Sequence, residues 1–173
     1  MSATVPTLQV AANGTAAIVR VCGRASFNCS VEFKRLMYSL RDKGFQRLVL
    51  DVSHCVLMDS TFLGILAGFS SRLAEVQGFR PRLILLNPNE KVIDLLDNLG
   101  VAELFEIEQG GEIGQKEFTP VEGKGGSSRI ETSKTCLEAH ETLMDLNPAN
   151  EAKFKDVTRF MREDIERQES EEV

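Results

Sequence analysis

Apolar residues recur in two rhythms along residues 7–108, and the alternation of those rhythms predicts the order of elements. Thr7–Ala11 and Ala16–Cys22 are short strand-like runs on either side of Asn13-Gly14, a dipeptide that favours a tight hairpin turn. From Ser30 to Lys43, Phe33, Leu36, Met37 and Leu40 follow the three-and-four spacing of one helix face, with Ser30 placed to cap it and Gly44 to end it. Arg47-Leu-Val-Leu-Asp-Val-Ser53 fits a central strand buried on both faces, and Met58-Asp-Ser60 reads as the turn after it. Over Ser60–Gln77, the residues Phe62, Leu66, Phe69, Leu73 and Val76 step by three or four, and Gly78 is the expected stop. Arg82–Leu86 repeats the strand signature. Asn89–Leu99 is helical through Val92, Ile93, Leu95, Leu96 and Leu99 ahead of Gly100, and Leu104–Glu108 closes as a last strand. The order ββαβαβαβ predicts an α/β fold: a mixed, largely parallel sheet with helical crossovers packed against it.

The pattern changes after residue 109. Gly110–Ser128 holds six of the thirteen glycines and Pro120 with few apolar residues, the composition of a flexible connector. Thr132–Leu146 and Asn150–Gln168 are helical patterns separated by Asn147-Pro148. Their stripes are Cys136, Leu137, His140, Leu143 and Met144, then Phe154, Val157, Phe160, Met161 and Ile165. Each stripe needs a cover, which its own domain, a second copy or a partner could supply. The expected organisation is a domain over 1–109, a flexible linker over 110–130 and a helical extension over 131–173.

Composition narrows the function classes. The 173 residues are 42% hydrophobic and 27% charged, ordinary usage for a chain that packs a core. Residues 1–109 carry eleven Lys and Arg against eleven Asp and Glu, whereas 110–173 carry nine against fifteen, so the whole net charge of -6 sits in the second part. Without a basic excess, counterion release cannot drive nucleic-acid binding, and none is expected. The longest apolar stretch, Phe62–Phe69, is eight residues, so no membrane span is expected either. The start Met1-Ser-Ala-Thr-Val-Pro6 has no basic or apolar targeting segment, which predicts a cytoplasmic protein with reduced thiols. Cys22, Cys29, Cys55 and Cys136 are scattered, without a Cys-x-x-Cys pair.

The densest polar cluster is Asp51-Val-Ser53-His54-Cys55-Val-Leu-Met58-Asp59-Ser60-Thr61, between the central strand and the second long helix. Sites in open α/β sheets form beyond the carboxyl ends of strands, and a helix start offers unpaired N–H groups. A catalytic reading would make Cys55 a nucleophile and His54 its base, but neighbours on an extended segment point to opposite sides and no third orienting group is identifiable. A metal site would need clustered ligands, and His140 lies far off in the extension. Gly123-Lys124 is followed by Gly125, not by the Ser or Thr of a phosphate loop. The expectation is a protein without enzymatic activity, metal or cofactor.

Arg47-Leu-Val-Leu-Asp51-Val-Ser53, followed by Met58-Asp59-Ser60-Thr61-Phe62-Leu63-Gly64-Ile65-Leu66, resembles the signature of the STAS domain of bacterial anti-sigma-factor antagonists. Further matches are Gly23 after the second strand, Leu83-Ile-Leu-Leu-Asn87-Pro88, and Val92–Gly100 followed by Leu104-Phe105, so the likeness spans roughly 7–109. The resemblance implies a STAS-like fold and a partner-switching protein that regulates transcription. The unmodified form binds an anti-sigma factor that is a serine kinase, phosphorylation of the Asp-Ser serine switches it off, and a PP2C-type phosphatase restores it. That serine corresponds to Ser60, and the implied partner-binding residues are Gly23, Arg24, Met58, Asp59, Ser60, Thr61 and Leu63. The family often has Gly where this chain has Phe62, so the ring either alters the docking surface or packs inward. The alternative is a non-switching STAS module of a transport complex or signalling scaffold. The domain is complete without the extension, which leaves the C-terminal helices for a hairpin on the domain or a homodimer.

Overall fold

The computed structural model describes residues 6–77, 83–114, 116–122 and 126–173. The expected helix stop at Gly78, the strand start at Arg82, the first five residues and Gly123-Lys124-Gly125 lie outside the described residues. Strands β1 (Thr7–Asn13), β2 (Ala16–Ala25), β3 (Arg47–Met58), β4 (Leu83–Leu86), β5 (Phe105–Glu108) and β6 (Thr119–Pro120) form one sheet in the order β5-β4-β3-β2-β1-β6. The helices are α1 (Ser30–Asp42), α2 (Ser60–Gln77), α3 (Glu90–Asn98), α4 (Arg129–Leu146) and α5 (Glu151–Glu171). β2 to β5 run parallel to one another, and β1 pairs antiparallel with both β2 and β6. The ββαβαβαβ expectation for the first part therefore stands.

Sequence patterning ended two strands too early. β2 continues to Ala25 and β3 to Met58, paired as far as Ala25 with Met58, with register shifts at Arg20/Cys22 and Gly23/Arg24. The segment from His54 to Met58 continues the strand up to the turn expected at Met58-Asp-Ser60, with His54 exposed and Cys55 buried. Gly23, at φ 80°, takes a left-handed conformation beside the second shift, where a side chain would be strained.

Period-two alternation gives the sheet two different faces. Ala17, Val19 and Val21 join Phe33 and Met37 of α1, Phe62, Leu66 and Phe69 of α2, and Val92 and Leu96 of α3 in one buried core. On the other side of β2, the Arg20 guanidinium lies 3.8 Å from the ring centre of Phe118 and binds Asp51 at 2.9 Å. The connector expected at 110–130 is anchored through much of its first half. Asn87 Nδ2 donates to the Gly111 carbonyl at 2.9 Å, Thr119–Pro120 adds a two-residue edge to β1, and the Val121 backbone amide donates to the Leu8 carbonyl.

The extension is a helical hairpin packed on its own domain. Ala139 and Leu143 of α4 are buried in the same core as the sheet. The α4–α5 corner seats on the end of α3, where helix carbonyls lack intrahelical donors. There Asn150 Nδ2 donates to the Leu99 carbonyl at 2.9 Å, Asn147 Nδ2 donates to the same oxygen at 3.3 Å, and Lys153 donates to the Asn98 carbonyl at 2.5 Å. The expected stripes are shifted. Thr135, Ala139, His140 and Leu143 are the buried residues of α4, while on α5 Thr158, Ile165 and Gln168 are buried and Phe160 is 60% exposed.

Candidate functional site

The start of α2 is built by one aspartate. Asp59 follows β3 directly, its amide donates to the Ala25 carbonyl at 2.9 Å, and its two carboxylate oxygens do separate work. Oδ1 accepts from the Phe62 amide at 2.8 Å, which caps α2, and Oδ2 accepts from the Phe27 amide at 2.8 Å, which ties in the turn after β2. Ser60 is thereby held in the first turn of α2 at the carboxyl end of the central strand, on a rigid backbone. Phe62 packs inward, fully buried, with its ring 4.1 Å from that of Phe33 and nearly parallel to it.

Among the residues expected to meet a partner, Gly23 and Arg24 lie on β2 beside the end of β3, with Gly23 paired to Cys55 and Arg24 to Leu57. Arg24 is exposed and Asp59 and Ser60 are half-buried, whereas Met58, Thr61 and Leu63 are buried. An exposed apolar rim of Phe27, Val56 and Leu57 surrounds the same end of the sheet.

Residues distant in sequence complete the site. His140 of α4 is 5% exposed, and its Nε2 lies 2.8 Å from Ser60 Oγ. Its Nδ1 is 2.7 Å from the Cys136 carbonyl, which can only accept, so Nδ1 carries a hydrogen. In the neutral ring Nε2 is then the acceptor, and the Ser60 hydroxyl donates to it. The edge of the imidazole meets the Phe154 ring of α5, with centroids 4.9 Å apart. One turn further along α2, a Cβ on Gly64 would stand 2.4 Å from the Ala139 carbonyl oxygen, and one on Gly68 would stand 3.0 Å from Thr142 Cγ2. Ser60, Gly64 and Gly68 share one face at i, i+4 and i+8, and α4 covers it.

No spacing in the sequence pairs His140 with Ser60 or α4 with this face of α2. The signal was present: two glycines in the interior of a helix cost about 1 kcal/mol each relative to alanine, which calls for a close neighbour in compensation. His140 could not be assigned to Ser60 because 80 residues separate them.

Electrostatics weakens the thiol chemistry considered for this region. Burial pushes the Cys55 thiol up, and His54 points to the opposite side of β3. Burial likewise raises Cys136, and Cys29 is pushed up to about 11. Asp51 behaves differently. Burial opposes its ionisation, but hydrogen bonds from Ser53 and Arg20 outweigh that and hold its carboxyl below the ordinary aspartate range. Among the described residues no three His, Cys, Asp or Glu side chains cluster as a metal site would require, and no helix is long and apolar enough to cross a membrane.

Comparison with solved structures finds the same fold at low identity. The unphosphorylated form of the anti-sigma factor antagonist SpoIIAA superposes with a TM-score of 0.52 at 20% identity, over 61% of this chain and 89% of that one. An anti-sigma factor antagonist from Mycobacterium paratuberculosis gives 0.52 at 18% identity, over 62% and 89%. A putative antagonist from Thermotoga maritima gives 0.51 at 19%, over 60% and 86%. No curated protein matches by sequence. A family model described as the STAS domain matches residues 7–111, well over half of the chain, and the chain therefore belongs to the STAS domain family.

Proposed function

We propose that this protein is an anti-sigma-factor antagonist that binds an anti-sigma factor serine kinase and is switched off by phosphorylation of Ser60. The observation that carries the reading is Ser60 itself, in the first turn of a helix capped by Asp59, at the carboxyl end of the central strand of a STAS domain. A serine there can receive the γ-phosphoryl group of ATP. A P–O bond forms to Oγ, the bond to the β-phosphate oxygen breaks as ADP leaves, and the hydroxyl proton is released. The phosphate brings about -1.5 to -2 charges that a partner surface would have to desolvate. The rim of Arg24, Asp59, Phe27, Val56 and Leu57 is the proposed docking surface, with buried Gly23 shaping the strand beneath it. A PP2C-type phosphatase would reverse the modification, and the system would operate in the cytoplasm.

A second reading has one observation in its favour. The Ser60 hydroxyl is engaged by His140, and α4 covers its helix face, as suits a STAS module that does not switch. Incubating the protein with its kinase partner and ATP and mapping phosphopeptides separates the two. Stoichiometric phosphate on Ser60, absent in Ser60→Ala, is the expected result. An unmodified Ser60, or phosphate confined to Thr61 or the extension, would overturn the switch.

A further inference from the structure

We propose that the face of α2 beneath α4 is a helix-docking surface whose occupant is the chain's own α4, and that α4 in this seat and a phosphate on Ser60 exclude one another. The seat has three marks. Gly64 and Gly68 bring the α4 backbone so close that a single added methyl on Gly64 would collide with the Ala139 carbonyl. Ala139 and Leu143 enter the domain core through it. The basic residues Lys34, Arg35 and Arg72 on α1 and α2 pair with Glu138 and Glu131 of α4, which places the acidic extension in register over the domain.

Ser60 lies at the end of that seat. In the side-chain direction shown, with Oγ 2.8 Å from Nε2 of a buried imidazole backed by Phe154, the phosphorus and its three oxygens would need the space the ring fills. Closure therefore protects Ser60, and phosphate, once attached, drives α4 off α2. The two effects are one coupling free energy, so each must oppose the other by the same factor at equilibrium. Opening would uncover Ser60, Gly64 and Gly68 on α2 together with Ala139, His140 and Leu143 on α4. This inference rests on the proposed kinase reading for its biological use, but the coupling itself requires no kinase.

The test separates the two. Phosphoserine is placed at position 60 of the full chain by genetic encoding, and amide hydrogen exchange is compared with wild type. Protection over residues 135–146 should fall about tenfold or more while residues 48–52 of β3 remain as protected as before. Unchanged or increased protection of α4, as an imidazolium–phosphate pair holding it in place would give, overturns the proposal. If β3 also loses protection, Gly64→Ala, which should release α4 while favouring α2 as a helix, supplies the second readout. With the partner kinase and ATP, Gly64→Ala should take phosphate on Ser60 about tenfold faster than wild type. An equal or slower rate overturns the gating. If neither protein is modified, the kinase reading fails, and the coupling is decided by exchange on Gly64→Ala with and without phosphoserine at position 60: with α4 already released, phosphate should cost it no further protection, and a further loss overturns the proposal.

Discussion

Asp51 and Phe62 carry opposite kinds of signal at the scale of single residues. Asp51 interrupts the apolar run of the central strand, and the parallel register sets it beside Arg20, whose guanidinium binds it at 2.9 Å. Its folded carboxyl ionises below the ordinary range, so the native state favours the charged form. The stability this contributes is present above the unfolded pKa of about 3.9 and is lost as pH falls through the lower folded value. Replacing Asp51 with Asn should flatten the acid limb of a urea-stability profile below about pH 4 while leaving the shape from pH 5 to 7 unaltered. An acid limb as steep as wild type would show that Asp51 does not govern it. Phe62 was ambiguous from its position alone. Both sides of the first turn of α2 were open to it, and only the Phe33 ring shows which one it takes.

At the scale of elements, α2 presents a different surface to each of its neighbours. Its Leu66, Phe69 and Leu73 stripe was legible because those residues bury in the core at helical spacing. Its Gly64–Gly68 line was not, because glycine has no apolar moment and gives no periodic signal. The substitution Gly64→Ala should change sign with context. In the full chain the methyl meets a backbone oxygen that cannot move alone, so destabilisation of about 1 kcal/mol or more is expected. In a chain ending at Glu122, where nothing would cover the position, the same change should stabilise by about 0.5–1 kcal/mol through helix propensity. Urea unfolding of the four proteins measures it, and the same sign in both backgrounds would remove α4 from the explanation.

For the molecule as a whole, the question is what the extension adds to a domain whose family match ends at residue 111. The ion pairs between α4 and the domain are exposed, so each is worth about 0–1 kcal/mol, and the apolar seat of Ala139 and Leu143 carries more of the docking. The proposed domain boundary near residue 109 needs one adjustment, since Phe118 and the Thr119–Pro120 edge belong with the sheet. A chain ending at Glu122 is therefore expected to fold cooperatively, with a lower Tm than the full chain and with concentration-dependent association through the bared face of α2. Circular dichroism and light scattering check this. An unfolded product would mean that the extension completes the core.

The sequence by itself determined the element order, the parallel sheet and the Asp59-Ser60 helix start, because those depend on spacing between near neighbours: apolar periods of two and 3.6, a capping carboxylate, glycines at helix ends. It also showed that two amphipathic helices follow and that they must be covered. Tertiary structure alone decided what covers them. Local pattern cannot say that His140 meets Ser60, that Ala139 fills the space left by Gly64, or that Asn150 donates to the Leu99 carbonyl at the end of α3. Those contacts depend on shape complementarity between segments 50 to 80 residues apart, which a one-dimensional period does not encode, and they determine whether the serine at the start of α2 is open or closed.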